Sequence, residues 1–289
     1  MELKGCGTAL ATPFRNGKVD FEAYRTLVKR QVEAGIHFLV PLGSTAETPC
    51  LENDEKCELL RITRELCPDR PIVAGVGTNS PAATIRNIRM LEPYGPDAWL
   101  VVVPYYNKPT QQGIYEYFSA IAASTDKGIV AYNVPGRTGT NMTAETTVRV
   151  AKISGVIAVK EASGNLEQIR KIVEDRPEGF KVLSGNDDQT FPIMAFGGDG
   201  IISVASNIAP VQMVELVESL QAGDIEKARL VDARLAPLYE ACFVESNPIP
   251  AKAGLSSLGL CTPEMRLPLT EAVPSTFDAM NRVIVDLGI

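Results

Sequence analysis

A (β/α)8 TIM barrel with a C-terminal helical extension is the fold class this chain predicts, on three observations. Eight short apolar runs recur at intervals of roughly 20 to 35 residues, with stretches of helical period between them. Each run is rich in Val, Ile or Leu and passes into a polar or Gly/Pro-containing segment, as a buried parallel strand does where it enters a loop. No Gly-rich dinucleotide fingerprint follows the first run, because Gly5-Cys6-Gly7-Thr8 precedes or overlaps it. That absence disfavours the doubly wound open sheet, which shares the alternation.

The strands are expected at residues 7–11, 38–42, 72–76, 99–103, 129–133, 156–160, 181–184 and 200–204. The first helix follows from Phe21, Tyr24, Leu27, Val28 and Val32, an i, i+3, i+4 stripe started by Asp20 as cap and stopped by Gly35. Ser80-Pro81 sets a capping hydroxyl before a proline at the first helical position, and Ile85, Ile88 and Leu91 continue the stripe. From Val211 onward the pattern is helical, including 224–243, with Pro248-Ile249-Pro250 as a break. No Ser- or Gly-rich linker intervenes. Residues 1–223 are therefore assigned to the barrel and 224–289 to helices packed on it, not to a tethered second domain.

The chain has 289 residues, 45% hydrophobic and 22% charged, enough for a sizeable core and too apolar for disorder. Lys plus Arg number 28 against 35 Asp plus Glu, a net charge of −7. That argues against a nucleic-acid partner, since phosphate binding needs clustered positive charge. His37 is the single histidine, so no His-rich zinc site can form within the chain, and any histidine base would have to be His37. It begins a buried run and reads as a packing residue. The six cysteines form no C-x-x-C pair and fit a reduced protein. No apolar run approaches the roughly 18 residues a membrane span needs. Residues 1–14 also lack the apolar core of a signal peptide. A cytoplasmic location, no membrane partner and no metal are expected.

In such a barrel the chemistry sits where strands end and loops begin. Those places carry Gly43-Ser44-Thr45-Ala46-Glu47, Gly77-Thr78-Asn79, Tyr105-Tyr106-Asn107, Tyr132-Asn133-Val134-Pro135-Gly136-Arg137, Lys160-Glu161 and Gly185-Asn186-Asp187-Asp188. Lys160 stands apart because it closes an apolar strand and shares a face with Val156 and Ala158. That face looks into the barrel or toward the helices, and both are apolar. Desolvation disfavours a charged amine there and makes it available to condense with a ketone as a Schiff base. The strand alone admits equally a salt bridge from Lys160 to Glu161 or another acid. Imine formation needs a weak acid near the carbon attacked. Tyr132, at the end of the adjacent strand, is the candidate, working through a relay of hydroxyls. Ser44 and Thr45 offer a relay hydroxyl and a donor to a substrate carboxylate, and Arg137 a bidentate grip on a second carboxylate. Each also has an ordinary reading, as half-buried packing, a helix cap or a surface charge.

These blocks, with Lys160-Glu161-Ala162-Ser163-Gly164-Asn165, Gly197-Gly198-Asp199-Gly200-Ile201-Ile202-Ser203-Val204 and Phe243-Val244-Glu245-Ser246-Asn247-Pro248-Ile249-Pro250, resemble the signature blocks of the dihydrodipicolinate synthase family. That family lies within the pyruvate-dependent class I aldolase and N-acetylneuraminate lyase superfamily. The resemblance runs from Gly5 to the C-terminal helices, in family order and at family spacing. It implies a lyase of lysine and diaminopimelate biosynthesis, condensing pyruvate with L-aspartate 4-semialdehyde through a lysine Schiff base to give 4-hydroxy-tetrahydrodipicolinate. No cofactor is implied beyond the covalent imine of pyruvate on Lys160. By the same resemblance Tyr132 shuttles protons, Ser44 is the relay hydroxyl, and Tyr106 reaches in from a neighbouring subunit. Thr45 and the backbone at Ile202 bind pyruvate, Gly185 lines its pocket, and Arg137 grips the semialdehyde carboxylate. A homotetramer, a dimer of dimers, is implied as well.

Two departures from the family pattern stand out. Ser44 replaces the usual threonine, keeping the hydroxyl but losing the methyl that restricts its rotamers. Ala46 replaces a glycine, which is acceptable only where φ need not be positive. In regulation, Lys56 and Ala83 stand where lysine-inhibited members use a histidine and a glutamate, while Asn79 and Tyr105 are retained. An acid is lost and a like charge gained, so weak or absent feedback by lysine is expected. Three rivals remain. Another pyruvate-imine enzyme, an N-acetylneuraminate lyase or keto-sugar-acid aldolase, shares Lys160 and Tyr132, and Arg137 within Pro135-Gly136-Arg137-Thr138-Gly139 tells against it. A non-catalytic pyruvate-binding paralogue would be expected to have lost a relay group, yet Ser44, Tyr106, Tyr132 and Lys160 are all present. A phosphate-binding barrel through Gly197-Gly198-Asp199-Gly200 competes with plain tight turns.

Overall fold

Short strands that are apolar on both faces need cover on both sides. The computed structural model, which describes residues 3–289, supplies it as a ring of parallel strands inside a layer of helices. Met1 and Glu2, part of the N-terminal stretch read above, lie outside the described residues. The strands are β1 (Gly5–Ala9), β2 (Phe38–Val40), β3 (Val73–Gly75), β4 (Ala98–Val102), β5 (Gly128–Asn133), β6 (Val156–Glu161), β7 (Lys181–Ser184) and β8 (Gly200–Ser203). β1 pairs with both β2 and β8, the others pair in sequence order, and one bridge from Leu39 to Ile72 closes the ring between β2 and β3.

A helix of the outer layer follows each strand: α1 (Phe21–Glu33), α2 (Asn53–Leu66), α3 (Pro81–Leu91), α4 (Gln111–Ala122), α5 (Ala144–Ala151), α6 (Leu166–Asp175), α7 (Thr190–Ala195) and α8 (Pro210–Gln221), with a further single turn at Pro135–Thr138 before α5. The expected caps are present. Asp20 accepts from the Ala23 N–H at 3.0 Å and Ser80 from the Ala83 N–H at 3.4 Å, while Gly35 takes φ 85° past the end of α1. Alternation along the strands splits the core into two layers. Leu39, Trp99, Val101, Val159, Val182 and Ile201 face the helices, and Val40, Val73, Leu100, Val130, Ala158, Leu183 and Ile202 fill the barrel. Each such valine, leucine or isoleucine contributes about 1.5–3 kcal/mol on burial, so both layers are needed to hold the ring shut.

Differences from the expected strands have local causes. β1 lies two residues earlier than its apolar run because Gly5 and Gly7 belong to it. A Cβ on Gly7 would sit 2.1 Å from the Phe38 ring, and one on Gly5 2.5 Å from the His37 ring. Past Ala9, the Leu10 N–H still reaches the Val40 carbonyl, but the Ala11 N–H turns to the Asn207 side chain. β2 stops at Val40 because Leu42 adopts φ 61°. A hairpin of Phe14–Arg15 with Lys18–Val19 was not read from the sequence, although Asn16-Gly17 is the turn signal for one, with φ 54° and 76°. His37 is a packing residue whose Nδ1 accepts the Cys6 N–H at 3.1 Å, and burial pushes its pKa down. Gly197 takes φ 105° and Gly198 leaves no room beside Ile193, so tight turns account for that glycine cluster.

Beyond α8 come α9 (Ile225–Ala241), α10 (Ile249–Ser257) and α11 (Pro274–Leu287). α9 packs on α8 and α11, and α10 packs on α11. Pro248 stands just before α10 and Pro250 lies in its first turn, so the expected break is a helix start. The segment between α10 and α11 returns to the barrel rim. The Thr262 hydroxyl donates to the Phe14 carbonyl, Glu264 accepts from the Asn16 and Gly17 N–H groups, and Arg266 forms a two-pronged pair with Glu55 at 2.6 Å. Among the described residues no helix is long and apolar enough to cross a membrane.

Candidate active site

Strand register creates the centre of the site. Tyr132 on β5 and Lys160 on β6 are direct register partners, and the Lys160 Nζ lies 4.4 Å from the Tyr132 ring centroid. Alternation puts Lys160 on the face of Ala158, which belongs to the barrel interior, so the side chain points inward and the residue is only 6% exposed. Glu161 faces the other way. Its carboxylate accepts from Asn133 Nδ2, 3.1 Å from each oxygen, and from the Ser163 N–H at 2.7 Å. Those groups hold Glu161 among the outer helices, which removes the salt-bridge reading of Lys160 with Glu161. Burial pushes the Glu161 pKa up against those hydrogen bonds.

The next strand completes the floor. Gly185 follows β7, and a Cβ there would stand 2.7 Å from Ala162 Cβ and 3.1 Å from Lys160 Cε. Asp187 is buried behind it, accepting from the Ser203 hydroxyl at 2.5 Å and from the Val204 and Ala205 N–H groups at 3.1 Å. Burial raises its pKa most. The hydrogen bonds and the field of Lys160 oppose that rise. Asp187 therefore clamps the backbone that leaves β8, just after the buried Ile202.

The turn after β2 carries the hydroxyls. Ser44–Ala46 is a single 3-10 turn, and the left-handed residue is Glu47 at φ 53°, so Ala46 meets its condition. Ser44 is exposed, while Thr45 is buried with its Oγ1 accepting from Asn247 Nδ2 at 3.0 Å. A cavity of about 470 Å³ opens beside this turn, lined by Ser44, Lys56, Tyr105, Tyr132, Arg137 and Asn247 among others. Lys160 is not part of the lining. Tyr132 joins the two, lining the cavity and setting its ring against the amine. Arg137 sits on the one-turn helix Pro135–Thr138, and its Nη2 donates to the Asn247 carbonyl at 2.9 Å.

Ser44, Tyr132 and Arg137 share the cavity, Lys160 meets Tyr132, Gly185 abuts Lys160, Thr45 is tied to Asn247, and Ile202 lies buried within β8. Tyr106 does not line this cavity and is 87% exposed, with φ 73°. Among the described residues no hydrogen bond joins the hydroxyls of Ser44, Tyr106 and Tyr132. Asn247, Asp187 and the buried pair of Glu47 with Lys252 were given no role in the sequence reading. Asn247 belongs to the Phe243–Pro250 run, but its partner Thr45 is 202 residues away. No group of three or more His, Cys, Asp or Glu side chains able to hold a metal ion occurs among the described residues.

A barrel with an inward lysine near the end of its sixth strand, faced by a phenol on the fifth, defines a Schiff-base lyase of the class I aldolase type. The comparisons with known proteins agree. A sequence profile of the Dihydrodipicolinate synthetase family matches residues 2–286. The chain belongs to that family. The 4-hydroxy-tetrahydrodipicolinate synthase of Thermotoga maritima is 45% identical over 292 residues, covering 99% of each chain. That of Syntrophus aciditrophicus is 41% identical over 288 residues, again covering 99% of each. A crystal structure of the dihydrodipicolinate synthase from Thermotoga maritima superposes with a TM-score of 0.98 at 44% identity, covering 100% of this chain and 99% of that one.

Proposed function

We propose that this chain condenses pyruvate with L-aspartate 4-semialdehyde to give 4-hydroxy-tetrahydrodipicolinate, the first committed step of lysine and diaminopimelate biosynthesis. The observation that carries this reading is the Lys160 amine buried against Tyr132 at the barrel rim, in a chain of this family. Lys160 Nζ attacks the C2 carbonyl of pyruvate, and loss of water leaves the imine. Tyr132 passes the protons that this step moves, with Ser44 as the hydroxyl through which they reach solvent. Removal of a C3 proton gives the enamine, whose C3 adds to the aldehyde carbon while the oxygen there takes up a proton. The amine of the semialdehyde moiety then attacks C2, closing the ring and releasing Lys160. Thr45 and the backbone at Ile202 hold the pyruvate carboxylate, Gly185 leaves room beside Lys160, and Arg137 grips the carboxylate of the semialdehyde.

Residues 1–223 form the catalytic barrel in this reading and 224–289 the extension packed on it. The protein works in the cytoplasm as a homotetramer, a dimer of dimers. The left-handed backbone and outward side chain of Tyr106 support a role in a neighbour's site, where it extends the relay of Ser44 and Tyr132. Feedback by lysine is weak or absent, because Lys56 lines the cavity beside Tyr105 and repels an ammonium group there. Half-maximal inhibition at micromolar lysine contradicts this. The test of the function is product formation from pyruvate and the semialdehyde, set against cleavage of N-acetylneuraminate and keto-sugar acids. Turnover of the first pair alone is expected. Cleavage of the sugar acids without condensation overturns the proposal.

A further inference from the structure

The loop before α10 reaches into the site from the opposite end of the sequence and touches two of its residues at once. Asn247 Nδ2 donates to Thr45 Oγ1 at 3.0 Å in a buried bond, and the Asn247 carbonyl accepts from Arg137 Nη2 at 2.9 Å. A threonine hydroxyl has one proton and two lone pairs. When the amide donates to the oxygen, that proton meets no acceptor among the described residues and is left for one that enters the site. A carboxylate can only accept. Were the amide reversed, Thr45 would give its proton to Asn247, and Nδ2 would be buried without a partner instead of Oδ1. We propose that Asn247 is a positioning residue that fixes the Thr45 hydroxyl as a donor to the pyruvate carboxylate and, through its carbonyl, registers Arg137 against it. This rests on the reading of Thr45 as a pyruvate-binding residue.

The surroundings show why one residue of the extension can do this. Thr45 lies on a turn that the extension also holds two residues further on. The Glu47 carboxylate pairs with Lys252 of α10 at 2.5 Å, with side chains 0% and 1% exposed, and accepts the Arg266 N–H at 3.0 Å. The Glu47 N–H in turn donates to the Ser44 carbonyl at 3.1 Å. On the other side the Lys252 N–H donates to the Pro248 carbonyl at 2.9 Å, and the Ile249 N–H to the Ser246 carbonyl at 2.9 Å. The Asn247 loop and the Ser44–Ala46 turn are thus parts of one frame pinned by a buried charge pair. Within that frame the Asn247 side chain acts on the pyruvate position, and its backbone acts on the semialdehyde position. Changing the side chain separates the two.

The test is a double-mutant cycle of Asn247→Ala with Thr45→Val, joined by Asn247→Asp, reading both KM values, kcat and the thermal midpoint. Asn247→Ala is expected to raise the pyruvate KM about 2- to 13-fold, the change that loss of one hydrogen bond gives. The semialdehyde KM and the kcat at saturating pyruvate stay within about twofold, because Arg137 still has its carbonyl. Asn247→Asp keeps the shape but takes the Thr45 proton and faces pyruvate with a like charge, so it raises the pyruvate KM further than alanine does. With valine at 45, Asn247→Ala changes the pyruvate KM by less than about twofold. An equal rise in both backgrounds overturns the proposal, as does loss confined to kcat and thermal midpoint. A Thr45→Val effect with silent Asn247 variants overturns it alone. A silent Thr45→Val overturns the pyruvate reading of Thr45 and the proposal with it. If the alanine variant does not fold, the isosteric aspartate carries the comparison.

Discussion

Lys160 and Tyr132 meet because two adjacent strands end in step, and what surrounds them decides how closely the amine is held. Gly185 matters most, since a single methyl there would press on Lys160 Cε at 3.1 Å. Gly185→Ala is therefore expected to lower kcat on the order of 10- to 100-fold by displacing the amine, while costing about 1–3 kcal/mol of stability. Steady-state rates and a denaturant midpoint check the two effects separately. Unchanged kcat shows that the amine can give way without loss. The sequence displayed Lys160 as an amine ending an apolar strand, and alternation put it on the face of Ala158. Which side of the sheet that face covers was not legible, because it depends on the ring closing. The ordinary reading as a salt bridge with Glu161 fell for a different reason, since neighbouring strand residues face opposite layers and Glu161 is held by Asn133 and Ser163.

At the scale of elements, the C-terminal helices and the loop between α10 and α11 are fastened to the rim by charges that the linear sequence does not pair. Lys252 and Arg266 share the Phe14 ring, 4.0 and 4.5 Å from its centroid, and hold Glu47 and Glu55 respectively. The Arg266 guanidinium keeps the Glu55 pKa below the ordinary carboxylate range. Because the folded value is depressed, this contribution is complete above the unfolded value of about 4.3 and is lost as pH falls through the folded value. Glu55→Gln is expected to lower the thermal midpoint by about 1–3 °C near pH 7, with the gap closing on acidification through that window. A gap that persists undiminished at acid pH contradicts the pairing. Helices α1 and α3 were legible because their caps and stripes are local. β1 was misplaced by two residues because its glycines serve close contact with β2, which no local pattern reports.

At the scale of the whole molecule, the ring of eight strands was legible from the repeat alone, whereas the proposal that subunits share sites rests on the family and one outward tyrosine. The Tyr106 side chain is 87% exposed in the single chain. If it serves a neighbour's barrel, subunits carrying Lys160→Ala and Tyr106→Ala complement each other. Half of the randomly formed dimers are mixed and half of their sites hold both residues, so coexpression restores about a quarter of the original activity. Activity no greater than the sum of the two inactive parents contradicts a shared site.

The central claim is that pyruvate is held as an imine on Lys160. Incubation with pyruvate, reduction with borohydride and peptide mass spectrometry read this directly. One reduced pyruvyl adduct on the peptide containing Lys160 is the predicted result, absent from Lys160→Ala. A protein that turns over its substrates with Lys160 left unmodified contradicts it.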